Sequence, residues 1–214
     1  MKVLILGAAG QIPSYLIPML LSETDAELVL YGRDVSSRLS DISDSRIQIT
    51  DGDFEDATKI EIAMQGVDVV YMNAATGDIN VLNTIVELMK KLSVKKFILV
   101  SILGIYGEVA GAFGEWNRRM VGDDRIEERR KAADFIEASG IDYSILRLTW
   151  LYNQDGNYSY ELTQKGEPFK GAQVTRQAVA RLVVDIIKDT SGKFAHTSLG
   201  VGEPKTDFEK PSFY

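Results

Sequence analysis

Short apolar, β-favouring runs alternate with stretches of helical period along almost the whole chain. Residues Val3–Leu6, Glu27–Tyr31, Arg46–Ile49, Val67–Met72, Lys96–Ser101 and Tyr143–Leu148 predict six strands, several without polar alternation. Strands apolar on both faces belong in a parallel sheet covered by helices. Helices are predicted at 11–22, 54–65, 79–92, 123–138 and 176–188. Two of them stop alike, at Gln65-Gly66-Val67-Asp68 and Ser139-Gly140-Ile141-Asp142, with a glycine at the helix end and a buried strand behind it. The expected fold is α/β, a doubly wound parallel sheet of the Rossmann kind with helices on both faces. It is expected as one domain over residues 1–214, with 149–174 and 190–214 forming a small substrate-side appendage.

Two segments break the rhythm. Residues 102–122 read as a long loop with Gly104, Gly107, Gly111 and Gly114 around Tyr106, Phe113 and Trp116. Residues 149–174 carry Trp150, Tyr152, Asn153, Tyr158, Tyr160 and Phe169. Both follow the carboxyl ends of strands, where ligands of such sheets bind. The aromatic run would line a pocket for a flat small-molecule substrate or bury a contact in a homodimer. From Gly200 to Tyr214 the pattern fades, so an irregular tail is expected, packed or frayed.

Composition removes several chemistries. The 214 residues include no cysteine, which excludes a disulfide framework, thiolate metal sites and a cysteine nucleophile. The formal charge of −7 argues against nucleic acid as an electrostatic partner. The apolar stretch 3–21 is interrupted by Gly7, Gly10, Gln11, Pro13, Ser14 and Pro18, so a buried strand and helix explain it better than a membrane span or signal peptide. A cytoplasmic protein with no membrane partner is expected. His196 is the only histidine, which leaves a His-based metal site or a Ser-His-Asp triad without support, and no metal is expected.

The chemistry gathers at the first strand end, Leu6-Gly7-Ala8-Ala9-Gly10-Gln11-Ile12-Pro13. Gly7 suits the tight turn, and Gly10 lets backbone approach a pyrophosphate that also faces the next helix's free N–H groups. Pro13 fits a first helical turn, whereas Pro18 should kink the helix. The second strand ends Tyr31-Gly32-Arg33-Asp34. An arginine there can neutralise the 2′-phosphate of NADP, with Ser36, Ser37 and Arg38 as further donors, while Asp34 would serve the ribose of NAD. Asp53 either accepts from an adenine amino group or caps the next helix. Small Ala74 and Ala75 leave room for a cofactor across the strand ends.

With these residues in place the chain resembles the short-chain dehydrogenase/reductase superfamily, in its atypical, NmrA-like branch. The resemblance rests on GAAGQIP, YGRD, Gly52-Asp53, Asn73-Ala74-Ala75, Asp142–Arg147 and Gln173–Ala180. It implies NAD(P) held by Gly7, Gly10, Gln11, Ile12, Arg33, Asp53 and Ala74, with Ala9, Phe54 and Ala75 on the same turns. It also exposes a departure. Better-known members act through a Ser and a Tyr-x-x-x-Lys pair, and no such pair occurs here. Alignment puts Ile126 at the tyrosine position, Arg130 at the lysine position and Ser101 one residue before the serine position. Arg130 could hold a ribose hydroxyl or a phosphate but cannot relay protons. Tyr106 and Ser101 are the substitute proton donors, unless Tyr106 is only a packed loop aromatic. Without a strong general acid, a quinone, flavin or conjugated carbonyl becomes the expected hydride acceptor of an NAD(P)H-dependent oxidoreductase. The alternative is a non-catalytic, redox-sensing NADP(H)-binding regulator; an epimerase or dehydratase would need the missing tyrosine.

Overall fold

The computed structural model describes residues 1–214. The elements run β1 (Lys2–Leu6), α1 (Pro13–Glu23), β2 (Glu27–Gly32), α2 (Val35–Arg38), β3 (Ile47–Asp51), α3 (Ala57–Ala63), β4 (Val69–Met72), α4 (Ile79–Leu92) and β5 (Lys96–Ile102). They continue with α5 (Gly111–Val121), α6 (Asp123–Ala138), β6 (Tyr143–Leu148), β7 (Trp150–Tyr152), β8 (Glu161–Thr163), β9 (Gln173–Thr175), α7 (Arg176–Lys188) and β10 (Thr197–Gly202). The main sheet has the order β3-β2-β1-β4-β5-β6-β10-β8, and β7 pairs with β9 apart from it. Every pairing from β3 to β10 is parallel, and only β8 runs antiparallel, against β10.

Burial follows the apolar runs. Val3, Ile5, Leu28 and Leu30 pack under α1 and α7, while Leu4, Leu6, Val29 and Val70 face α3, α4 and α6. Alternate residues of one strand thus enter opposite layers, which is why these strands carry no polar face. The helices at 79–92, 123–138 and 176–188 stand where the sequence puts them. Asp78 caps α4 through the amides of Asn80 and Val81, and the Thr175 hydroxyl caps α7 at the Ala178 amide. Gly66 and Gly140 take positive φ at the expected stops, +69° and +78°.

α1 runs on through Pro18, which stands on the solvent side, where water can satisfy the carbonyl it leaves free. Two expectations are revised. α3 starts at Ala57 instead of residue 54, because Asp56, not Asp53, accepts the capping bond from the Lys59 amide. Half of the expected 102–122 loop is the helix α5. Of the two outcomes expected for the tail, the packed one is found: Gly200–Gly202 finish β10, Thr206 and Pro211 are buried, and the Ser212 amide donates to Gln173 Oε1 at 2.8 Å.

Candidate functional site

Strand order reverses at β1, whose neighbours are β2 and β4, and the crevice beyond those strand ends is where such a sheet binds ligands. A cleft of ≈ 470 Å³ opens there, lined by Gly7, Ala9 and Gly10 on one side and by Asp53, Phe54, Asn73 and Ala74 on the other. That volume lies in the range of small-molecule and cofactor sites.

The glycine turn is fixed from below. The Gly7 and Ala8 amides both donate to the Tyr31 carbonyl, at 2.8 and 3.1 Å, and the Gly10 amide closes on the Gly7 carbonyl at 3.0 Å. Gly7 has φ +83°, which a side chain would strain. At Gly10 a Cβ would collide with Asn73 Nδ2, so the glycine also makes room for that carboxamide, whose Oδ1 accepts from the Tyr71 hydroxyl at 2.8 Å. The amides of Ala9, Gln11 and Ile12 find no acceptor in the protein. Three unpaired N–H groups on one turn ahead of α1 form a cradle for a pyrophosphate. The residues present therefore fit a dinucleotide.

Two arginines line the cleft beyond β2. Arg33 is exposed, lines the cleft and forms no ion pair. Arg38 lines it too, with one guanidinium nitrogen donating to the Ala9 carbonyl at 2.7 Å. Asp34 turns through a left-handed conformation, φ +54°, and is not part of the lining. Behind them Asp51 accepts from the Ser36 amide at 2.9 Å and from the Ser36 hydroxyl, tying α2 to β3. These bonds hold the Asp51 carboxyl below its ordinary range. Tyr31 packs against Gly52 and donates to the Asp53 carbonyl at 2.6 Å; burial, then the Asp56 and Asp53 charges, pushes its phenol up to about 12.

Of the residues expected to hold the cofactor, Gly7, Ala9, Gly10, Arg33, Asp53, Phe54 and Ala74 line the cleft. Gln11 and Ile12 are not part of the lining, although their amides are unpaired; the Ile12 side chain is buried. Ala75 packs toward the α1 and α7 layer. Arg130 lies elsewhere. It is half exposed, pairs loosely with Asp134 at 3.8 Å and lines a separate hollow with Tyr106, Asn117 and Ile126. Its neighbour Arg129 turns inward instead, on the face of α6 that carries the buried Ala132, Ala133 and Ile136, with Nη1 against Gly77.

The expected proton donors are not brought to the cleft. Tyr106 is drawn back beside the sheet, donating to Glu137 Oε1 at 2.8 Å, with the Ser198 hydroxyl at 3.5 Å. Ser198 pairs with Ile145 in mid-strand, well behind the strand ends. Burial, more than the adjacent Glu137 charge, raises the Tyr106 phenol far above its ordinary value. Ser101 is buried within β5, level with Arg147, and makes no hydrogen bond through its hydroxyl. The sequence also gave no sign of the pair behind this loop. Arg147 and Glu108 are both buried and meet at 2.5 Å, while Glu108 accepts the Gly104 and Tyr106 amides at 3.0 and 2.8 Å.

A family profile described as NAD(P)H-binding matches residues 7–190. A short-chain dehydrogenase/reductase (wide type) of Veillonella parvula DSM 2008, solved in complex with NADP, is 36% identical over 99% of both chains, with a TM-score of 0.93. The chain belongs to the NAD(P)H-binding short-chain dehydrogenase/reductase family. A Rossmann-fold NAD(P)-binding family protein of Shigella flexneri is also 36% identical, over 100% of this chain and 98% of its own, with a TM-score of 0.82. An anaerobillin reductase of Escherichia coli O157:H7 shares the fold at 21% identity, covering 99% of this chain and 100% of its own, with a TM-score of 0.77. No curated protein sequence matches the chain. No helix is long and apolar enough to cross a membrane.

Proposed function

We propose that this family member is an NADPH-dependent oxidoreductase that reduces a planar, readily reduced small molecule of the quinone, flavin or conjugated-carbonyl class. One observation carries the reading: Arg33 and Arg38 share the adenosine end of the cleft while no tyrosine or lysine lines its other end. The arginines select the phosphorylated cofactor, in accord with the NADP complex of the Veillonella parvula relative. Bound NADPH supplies the hydride. The chain's part is to bind, orient and exclude water: free amides of the turn hold the pyrophosphate, and Phe54 and Val81 wall the cleft. With no tyrosine or lysine on the cleft to act as proton donor, the product's negative charge must be stabilised by its own conjugation and collect its proton from solvent.

Paired NADPH and NADH titrations test the cofactor half. Wild type should prefer NADPH, and Arg33→Glu should weaken NADPH by about tenfold or more beyond any effect on NADH. Equal losses for both would remove Arg33 from that role. NADPH oxidation with menadione and riboflavin tests the acceptor half. The absent tyrosine also favours a second reading, a redox-sensing regulator, which predicts tight binding of NADPH and NADP⁺ with no turnover of any acceptor.

A further inference from the structure

We propose that the Asn73 side chain is a further donor to the cofactor's pyrophosphate, and that the buried Tyr71 hydroxyl is the positioning group that aims it. The inference depends on cofactor binding alone and stands whichever reading of the acceptor holds.

The strand brings the two residues to the glycine turn. Tyr71 lies in the layer under α1, with Ile5, Ala8 and Ile12, and Asn73 follows it by two residues, on the same side of the extended chain. Asn73 stands just past the end of β4, where its amide still donates to the Leu6 carbonyl at 2.9 Å. That bond holds it level with the start of the turn. Its Nδ2 lies against Gly10, which has no Cβ to meet it.

The carboxamide has one bonded end and one free end. Tyr71 is fully buried, and its hydroxyl makes a single hydrogen bond, to Asn73 Oδ1 at 2.8 Å. Burial pushes the Tyr71 phenol far above its ordinary range, so it keeps its proton and acts as the donor. The carboxamide oxygen is then the atom that must face it, and Nδ2 is turned the other way. Nδ2 donates to no atom of the protein. The half-buried Asn73 lines the cleft, so this free N–H stands beside the turn whose Ala9, Gln11 and Ile12 amides are also unpaired.

A neutral donor fixed in advance loses little side-chain entropy when an anion arrives, and its bond to the anion is charge-assisted. The anion this geometry admits is the one seated on the turn. Arg33 and Arg38 follow β2, whereas Asn73 follows β4, and β1 lies between those strands. Asn73 should therefore serve NADPH and NADH alike.

Calorimetric titration of NADPH, NADH, ADP-ribose and adenosine 2′-monophosphate tests this, since only the last lacks the pyrophosphate. Asn73→Ala should weaken the first three by about tenfold and leave the fourth unchanged. Asn73→Asp keeps an acceptor for Tyr71 and turns the free donor into a carboxylate oxygen, so it should weaken the same three further. Tyr71→Phe should weaken them about threefold in the wild type and have no effect in the Asn73→Ala background. A Tyr71→Phe loss that persists in that background would make Tyr71 a structural residue and overturn its positioning role. Unchanged binding in Asn73→Ala, an equal loss of adenosine 2′-monophosphate, or an Asn73→Asp variant that binds as wild type would each overturn the proposal.

Discussion

The Tyr106 ring lies beneath the Lys165 ammonium, 4.2 Å from its centroid, while its hydroxyl holds Glu137 at 2.8 Å. Lys165 Nζ also meets Glu137, at 2.6 Å, so the three side chains close a small charged lid over the ring. A phenol whose acidity is suppressed by burial and whose proton is already given to a carboxylate is a structural donor. Tyr106→Phe should therefore leave NADPH oxidation unaltered and lower the unfolding free energy in urea by about 1 kcal/mol. A large fall in kcat at unchanged stability would return Tyr106 to the chemistry. Residue type made Tyr106 the obvious donor in the sequence, but direction is set by Glu137, 31 positions away, and no local pattern reveals it. The directions of Arg129 and Arg130 were legible by contrast, because the period of α6 places the first inward and the second outward.

At the scale of elements, α2 has only four residues and is too short to hold its place by its own hydrogen bonds. Val35 is buried beneath it, Ser36 is bound to Asp51, and Arg38 reaches the Ala9 carbonyl. Asp51 thus braces α2, which carries Arg38 and follows Arg33, from behind. With those arginines as the proposed partners of a 2′-phosphate, Asp51→Ala should weaken NADPH more than NADH, since they lose their footing while the Gly7–Gly10 turn is untouched. Acid adds a second reading of the same contact. A carboxyl whose folded pKa is lowered adds stability above its unfolded value and loses it as pH falls through the folded one. Melting temperatures taken from neutrality to below about pH 4 should thus fall less steeply for Asp51→Ala than for wild type. Parallel acid limbs would show the Ser36 bonds to be energetically silent. The long elements were legible because burial on both faces of the sheet and capping residues such as Asp78 and Thr175 are written locally. α5 was hidden by its glycines. Gly114 reads as a loop residue, yet it is small because the Val109 carbonyl lies where its Cβ would be. The aromatic run was open between pocket and dimer; Trp150 instead packs on Trp116 and Tyr214, at 4.8 and 5.1 Å, contacts formed across distant parts of the chain.

Across the whole molecule, one buried charge pair ties the half of the sheet beyond β5 to the loop that follows β5. Arg147 rises from β6 fully buried and donates to the Ser198 carbonyl of β10 at 3.1 Å and weakly to the Thr163 carbonyl of β8. Its counter-charge, Glu108, comes from the loop after β5 and uses both oxygens on that loop's amides as well. Sheet edge and the loop after β5 are therefore joined at a site closed to water. Replacing Glu108 by glutamine keeps the shape and some hydrogen bonding but leaves a buried arginine uncompensated, which should cost about 3–5 kcal/mol. Removing both charges, as Glu108→Gln with Arg147→Met, should recover much of that loss, because desolvating the pair offsets most of what its attraction contributes. Urea unfolding of the wild type, both single variants and the double variant forms the cycle that isolates the coupling. Additive single losses would mean that solvent screens the pair and that the loop is held by its backbone alone. A strong coupling, with NADPH affinity preserved and acceptor turnover reduced in the double variant, would place the pair as the support of the acceptor wall, separate from the cofactor turn at the other half of the sheet.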